Sequence, residues 1–265
     1  MFKAERLQKI KELLFDRKQI NVSTLSSLLN VSEVTIRSDL ELLEGEGFLT
    51  KQHGGAVLNE SDTSQQDIND MLAGSRIEYS RDKEDIAKIA ASMVQDGEHI
   101  FLGAGTTCYF IAKELLERRN LTVLTNNLYV GNILALNPYI NCILTGGSIL
   151  AGQYCLVGDM IDRCVENLFL SKAFFAVGGV DLEAGYTLPD PEEAEVLHVV
   201  SKRAREVILA IDMGKYDIKS FVKLGDLDMA PVVITNSRIA DKYKDYYYNK
   251  KIKLLTAYSL NNSHF

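Results

Sequence analysis

The chain has 265 residues, enough for two domains, and its 46% hydrophobic and 25% charged residues provide for a buried core. A net charge of -7 argues against a protein that coats nucleic acid or an anionic membrane nonspecifically. No apolar run reaches the roughly 18 residues of a membrane span, and Met1-Phe2-Lys3-Ala4-Glu5-Arg6 lacks the pattern of a signal peptide, so the cytoplasm is the expected compartment.

Lys3 to about Phe15 reads as a first helix that turns Leu7, Ile10, Leu13 and Leu14 toward the elements after it. Leu25, Leu28 and Leu29 recur at i, i+3 and i+4, and Ile36, Leu40 and Leu43 at i, i+4 and i+7. The spacing predicts two short amphipathic helices, each with one stripe to bury. Asn30-Val31 turns the chain between them, and Ser32 is an N-cap for the second. The outward face of that helix carries Ser32, Glu33, Thr35, Arg37 and Ser38, residue types that bond phosphates or base edges when a helix N-terminus enters a major groove. Arg37 is the leading contact among them. Gly45 and Gly47 can end the helix, and Phe48-Leu49-Thr50-Lys51, the reversal at Gly54-Gly55 and Ala56-Val57-Leu58 then form a hairpin resembling the wing of a winged helix. Two helices joined by a tight turn also occur in many small helical domains. Residues 1–57 hold eight Lys+Arg against eight Asp+Glu, so charge does not decide between that plain reading and a DNA-reading head.

Asn59 to Ser75 is rich in Asn, Ser, Asp, Thr and Gln and reads as a linker, which divides the chain into 1–58, 59–75 and 76–265. Beyond it, helical and strand patterns alternate. Helices are expected over Asp82–Gln95, Tyr109–Arg118 and Leu128–Leu136 and near 159–168, 191–204 and 238–247. Strands are expected at His99–Leu102, Leu121–Thr125, Ile140–Thr145, Tyr154–Val157, Lys172–Val177, Val207–Ile211, Val222–Leu224, Val232–Thr235 and Ile252–Leu255. Such alternation predicts an α/β domain with a mainly parallel sheet covered by helices on both faces. Cys108, Cys142, Cys155 and Cys164 show neither C-x-x-C pairing nor clustered histidines, so buried thiols are expected, with no metal site and no disulfide framework.

Ligands of parallel sheets bind at the carboxyl ends of the strands. Four of those ends carry glycines and small polar residues: Gly103-Ala104-Gly105-Thr106-Thr107, Thr125-Asn126-Asn127, Thr145-Gly146-Gly147 and Gly178-Gly179-Val180-Asp181. A glycine turn entering a helix offers free backbone N–H groups, and Thr106 and Thr107 add hydroxyls, so an anion such as phosphate is a fitting guest. The other reading of each glycine is that it merely closes a tight turn. The first turn is neither G-x-x-x-x-G-K-[ST] nor G-x-G-x-x-G, which makes ATP and NAD poor candidates, and no cofactor is expected.

Leu28-Leu29-Asn30-Val31-Ser32-Glu33-Val34-Thr35-Ile36-Arg37-Ser38-Asp39-Leu40 followed by His53-Gly54-Gly55-Ala56 resembles the signature of DeoR-type bacterial transcription regulators. Gly103-Ala104-Gly105-Thr106-Thr107, Asn120 to Asn126, Thr145-Gly146-Gly147, Gly178-Gly179-Val180 and Asp212-Met213-Gly214-Lys215 resemble that family's sensor domain, which is similar in fold to ribose-5-phosphate isomerases and glucosamine-6-phosphate deaminases. The resemblance implies a winged helix-turn-helix that contacts operator DNA through Ser32, Glu33, Thr35, Arg37, Ser38, Lys51 and His53. It also implies a phosphorylated sugar as effector, with Gly103, Gly105, Thr106 and Thr107 at the phosphate. Asn126, Asp181 and Glu193 would meet sugar hydroxyls, Lys215 would add a cation, and Asn127, Gly146 and Gly147 would line the pocket. Ser38 and Gln52 stand where the family usually has basic residues, which implies fewer phosphate contacts and more reliance on a homo-oligomer, dimer or tetramer. Leu197-His198 replaces a Lys-Arg pair, so ligand preference is open, and His198 is either a pocket donor or a plain helix residue.

An enzyme remains the alternative. Asp181, Glu192, Glu193 and Lys215 include acid-base chemistry, yet the Asp-Gly-Ala-Asp-Glu run and Gly-rich lysine loop of the isomerases and the Gly-Glu-Asp-Gly-His run of the deaminases are missing. No catalytic residue is therefore assigned, and Glu192-Glu193 also reads as a solvated first helical turn. The expectation is a repressor of a carbohydrate-use operon whose hold on DNA is set by a sugar phosphate. A DNA-binding module with an unliganded dimerisation body is the third possibility.

Overall fold

The computed structural model describes residues 3–45, 48–52, 54–59 and 81–257, which fall into two compact units. Gly47, His53 and nearly all of the expected linker lie outside the described residues.

The N-terminal unit is built from α1 (Lys3–Arg17), β1 (Gln19–Asn21), α2 (Val22–Leu29), α3 (Glu33–Gly45), β2 (Leu49–Gln52) and β3 (Gly55–Leu58). Ile10, Leu14, Leu25, Ile36, Leu40, Leu43 and Leu49 are fully buried in one cluster, so the 3.6-residue periodicity of all three helices converges on a single core. Asn30 takes the left-handed conformation at φ 53° and closes the turn between α2 and α3, a conformation asparagine tolerates better than most residues. Ser32 Oγ accepts from Thr35 N at 3.2 Å, the expected cap. Two features depart from the sequence reading. Leu28 is 51% exposed, because the buried stripe of α2 runs through Val22, Leu25 and Leu29 instead. Residues 19–21 are a strand that pairs antiparallel with β3, making the expected hairpin a three-stranded sheet in the order β1-β3-β2.

The second unit is organised on seven parallel strands in the order β15-β14-β12-β9-β4-β5-β6. These are β4 (His99–Leu102), β5 (Leu121–Thr125), β6 (Ile140–Leu144), β9 (Leu170–Phe175), β12 (Ala204–Ile211), β14 (Val232–Asn236) and β15 (Lys253–Ala257). Successive residues of a strand face opposite sides of the sheet. Phe101, Ala173, Phe175, Leu209, Ile211 and Val233 accordingly share one buried cluster with Ile161, Leu197 and Tyr243 from the helices Met160–Val165, Pro191–Ser201 and Asp241–Asn249. Ile100, Leu102, Phe174, Ile208, Ala210 and Ile234 are buried as well, and the helix Arg81–Ser92 packs on β12, β14 and β15 beside the helix Thr106–Glu114. The near-continuous apolar strands are those of a sheet covered on both faces.

Two small antiparallel sheets were not legible as such. β7 (Ser148–Leu150) pairs with β8 (Cys155–Val157), and β10 (Gly179–Asp181), β11 (Gly185–Leu188) and β13 (Val222–Gly225) form a three-stranded sheet. The segments expected as strands near 154–157 and 222–224 therefore belong outside the parallel sheet, because each finds an antiparallel neighbour. The helix expected from Tyr109 begins at Thr106, where Gly105 (φ +91°) makes the turn.

Candidate functional site

The chain runs outward from β4 through β5 to β6, then returns to the other side of β4 as β9 and continues through β12 to β14 and β15. The order reverses at β4 and β9, and the crevice above such a switch point is where ligands of open α/β sheets bind. A cavity of about 340 Å³ lies there, within the size range of small-molecule sites. Its floor comes from three neighbouring strand ends: Ala104, Gly105, Thr106 and Thr107 after β4, Ala176 to Gly178 after β9, and Ile211, Asp212 and Lys215 around the end of β12. Gln153, Leu188, Pro189, Glu193 and Ser220 complete the wall.

Gly105 has no side chain with which to cap the helix that starts at Thr106, so the N–H groups of its first turn point at the cavity without a protein partner from that position. These donors and the positive end of the helix dipole favour an anion. Lys215 sits at the end of a short 3-10 turn that Asp212 caps by accepting from Gly214 N at 3.1 Å. Among the described residues Lys215 makes no ion pair, so its charge is available to the cavity.

Glu193 faces these donors from the first turn of Pro191–Ser201, whose N-cap Asp190 accepts from Glu192 N at 2.8 Å. Glu193 Oε2 is closed off from solvent and has no hydrogen-bond partner among the described residues. Burial pushes its carboxyl up to about 7, and the Asp190 charge adds to the effect. Glu192 is exposed, so the solvated-turn reading holds for it and not for Glu193. A half-buried glutamate with one unpartnered, solvent-shielded oxygen, lining the same cavity as a lysine and a helix N-terminus, forms a site with separate places for an anion and for hydroxyl or amine donors.

Of the eleven residues expected to hold an effector, the cavity brings together Gly105, Thr106, Thr107, Glu193 and Lys215. The others lie outside its lining for identifiable reasons. The ends of β5 and β6 are on the far side of β4 from β9 and β12, and the β7-β8 hairpin covers them. Asn126 Nδ2 donates to Leu156 O at 2.9 Å, and Leu156 N donates back to Asn126 O at 2.7 Å. Asn127 caps the following helix, its Oδ1 accepting from Tyr129 N at 3.0 Å while its Nδ2 donates to Gly105 O at 3.0 Å. Asn127 thus holds the Gly105 turn from behind. A Cβ on Gly147 (φ +119°) would come within 2.4 Å of Val157 O, so this glycine lets the hairpin close, with Gly146 beside it. Gly103 packs against the Phe175 ring. Asp181 Oδ1 accepts from Glu183 N and Ala184 N, both at 2.9 Å, and pairs with Lys219, which together hold its carboxyl below the usual range. It closes the β10-β11 turn. His198 Nε2 is 3.0 Å from Leu224 O, a contact to β13 away from the cavity. Cys108 and Cys155 are buried, and burial pushes both thiols up to about 12. Sequence reasoning missed Asp212, Gln153 and Ser220; Asp212 stood in a quoted motif, whereas the other two carry no local signal.

In the N-terminal unit, Glu33, Val34, Arg37, Ser38 and Glu41 form the exposed face of α3. Arg37 Nη2 lies 3.4 Å from Glu33 Oε2 one turn back, and the Ser32 and Thr35 hydroxyls are 2.9 Å apart. Lys51 of β2 reaches back to α3, with Nζ 3.0 Å from Glu41 Oε1 and its backbone N–H donating to Glu44 Oε1 at 2.8 Å. The wing is tied to the C-terminal half of the helix it flanks.

A winged helix-turn-helix followed by an α/β unit with a cavity at its switch point defines a DNA-binding regulator that carries its own sensor. Residues 6–62 match the DeoR-like helix-turn-helix domain, and residues 78–237 match the DeoR C-terminal sensor domain. The chain is 35% identical over 239 residues to the HTH-type transcriptional regulator GolR of Listeria innocua, covering 90% of this chain and 92% of that one. It is 34% identical over 247 residues to the lactose phosphotransferase system repressor of Staphylococcus epidermidis, covering 91% and 95%. Ribose 5-phosphate isomerase A of Methanocaldococcus jannaschii aligns over 51% of this chain and 53% of that one at 18% identity, with a TM-score of 0.37. The chain belongs to the DeoR family of transcriptional regulators.

Proposed function

We propose that this regulator represses a carbohydrate-use operon in the cytoplasm and that a phosphorylated sugar in the switch-point cavity controls its hold on double-stranded operator DNA. The observation that carries this reading is the cavity's division of labour: N–H donors of the Thr106 helix and Lys215 suit a phosphate, and Glu193 suits sugar hydroxyls. The lactose phosphotransferase system repressor as a relative supports a carbohydrate operon. No helix among the described residues is long and apolar enough to cross a membrane. We take the working boundaries as 1–58 for the head, 59–75 for the linker and 76–265 for the sensor. The expected contacts of the head with DNA are Ser32, Glu33, Thr35, Arg37, Ser38, Lys51 and His53. A homo-oligomer presents two heads to successive major grooves, and the effector favours an arrangement that does not fit them. The test is a thermal-shift panel of sugar phosphates on the full chain, followed by gel shifts on its upstream DNA. A phosphate that raises the melting temperature and releases the DNA supports the reading; sequence-preferring binding that no phosphate stabilises or alters refutes the effector part.

Glu193 favours a second reading. A carboxyl near pKa 7 opposite a lysine is suited to proton transfer on a sugar phosphate. Turnover of a pentose or hexose phosphate by the full chain, lost in Glu193→Gln, would establish it; binding without turnover leaves the sensor reading alone.

A further inference from the structure

Val34 is 77% exposed, the most exposed large apolar residue of the N-terminal unit among the described residues, ahead of Leu28 at 51% and Leu42 at 38%. It takes no part in the core that Ile36, Leu40 and Leu43 build from the opposite side of the same helix. Most of its apolar surface therefore stays in water. It occupies the second position of α3, and Arg37 and Ser38 follow it at i+3 and i+4, so the three side chains form one contiguous patch. The backbone at Val34 is fixed by the Ser32 cap one residue outside the helix, and a β-branched side chain in a helix keeps essentially one rotamer. Val34 is thus preorganised within the patch.

The charges around it restrict how it can work. Arg37 has Glu33 at 3.4 Å, Lys51 has Glu41 at 3.0 Å and Glu44 at 3.8 Å, and Arg6 is bound to Asp39. The head as a whole is neutral, so attraction to phosphates supplies less of its affinity than in a basic head, and base edges must supply more. Val34 has no donor or acceptor. In a major groove the feature an apolar side chain can read is the 5-methyl group of thymine, which the other three bases lack.

We infer that Val34 is a specificity-determining residue that packs on the 5-methyl group of one thymine per half-site, beside the base pair contacted by Arg37. The inference rests on the reading of α3 as the element that enters the major groove. It makes the apolar position of the patch, and not only its polar ones, part of the sequence code.

The test uses the full chain and a duplex selected from a random-sequence pool. Each thymine of the selected site is replaced in turn by uracil, which removes the methyl and nothing else. One thymine per half-site is expected at which uracil weakens the wild type about fourfold, the equivalent of ~0.8 kcal/mol for one buried carbon. Val34→Ala should bind the unmodified site about fourfold or more weakly and be indifferent to uracil at that position, while melting no lower than the wild type, because Val34 is 77% exposed and alanine is the better helix former. Val34→Thr, which keeps one methyl, should fall between. If the wild type selects a sequence but no uracil effect is erased by Val34→Ala, the inference is wrong. If the wild type selects no sequence at all, the DNA-reading role of α3 fails and this inference with it.

Discussion

Arg6 of α1 and Asp39 of α3, 33 positions apart, form a bidentate pair with Nε 2.5 Å from Oδ2 and Nη2 3.1 Å from Oδ1. The carboxylate is 2% exposed, so the pair clamps the first helix to the inner side of α3, opposite its exposed face of Glu33, Val34, Arg37, Ser38 and Glu41. Removing one partner of a buried pair strands the other, at a cost of about 3 kcal/mol. Asp39→Ala should lower the stability of the head by about that amount in denaturant unfolding and weaken DNA binding with it. Replacing both partners by Met and Leu should recover most of the stability. A loss below about 1 kcal/mol in Asp39→Ala would show the clamp to be incidental.

Lys215 and the Thr106 helix N-terminus are expected to act as one anion site. Lys215→Met should remove most of the thermal stabilisation that a sugar phosphate confers, which is about 2.7 kcal/mol at a hundredfold excess over Kd for a ligand bound only by the native state. The same substitution should leave the unliganded melting temperature nearly unchanged, because Lys215 makes no ion pair among the described residues. Equal stabilisation of variant and wild type would move the phosphate elsewhere.

Glu193 should make both stability and effector binding depend on pH. Burial raises its carboxyl from 4.5 to about 7 in the folded chain. The folded state therefore favours the neutral form, and the stability this brings is complete below pH 4.5 and is lost as pH rises through 7. The loss is on the order of 3 kcal/mol once the group is ionised in both states. Glu193→Gln should abolish that decline, so the empty variant should be the more stable protein at pH 8. Effector affinity should run the other way, rising between pH 6 and 8 as the carboxylate becomes an acceptor for sugar hydroxyls. Calorimetric titration at three pH values in wild type and Glu193→Gln separates the two trends.

Asn127 and Glu193 should give opposite signatures. Asn127 caps a helix and braces the Gly105 carbonyl without lining the cavity. Asn127→Ala should cost about 1 to 2 kcal/mol of sensor stability, as cap removal does, and change effector Kd little once measured well below the melting transition. A large change in Kd with an unchanged melting temperature would make it a direct contact.

The cysteines offer a check on packing. Cys108 and Cys155, with thiols raised to about 12, should resist alkylation at pH 8, while the half-buried Cys142 and Cys164 should react first. Rapid native-state labelling of Cys108 would contradict the packing of the Thr106 helix on β9.

What the sequence determined by itself was local. The stripes of Ile36, Leu40 and Leu43, the cap at Ser32, the turn at Asn30 and the strand at Leu121–Thr125 each follow from spacing and residue chemistry within a few positions. The glycine turn after a strand also pointed to Gly105, Thr106 and Thr107, and the resemblance to known regulators added the family, Glu193 and Lys215. Periodicity states which face of an element is buried but not which neighbour it is buried against, and that decision belonged to the tertiary structure. Strand order alone puts the ends of β9 and β12 beside Gly105 and sends Asn126 and Gly147 behind the β7-β8 hairpin. It likewise made Asp181 a turn residue held by Lys219 and exposed Leu28 in favour of Val22. The cavity is a long-range object, assembled from residues between 104 and 220, and its buried carboxyl could be recognised only once the walls that desolvate it were in place.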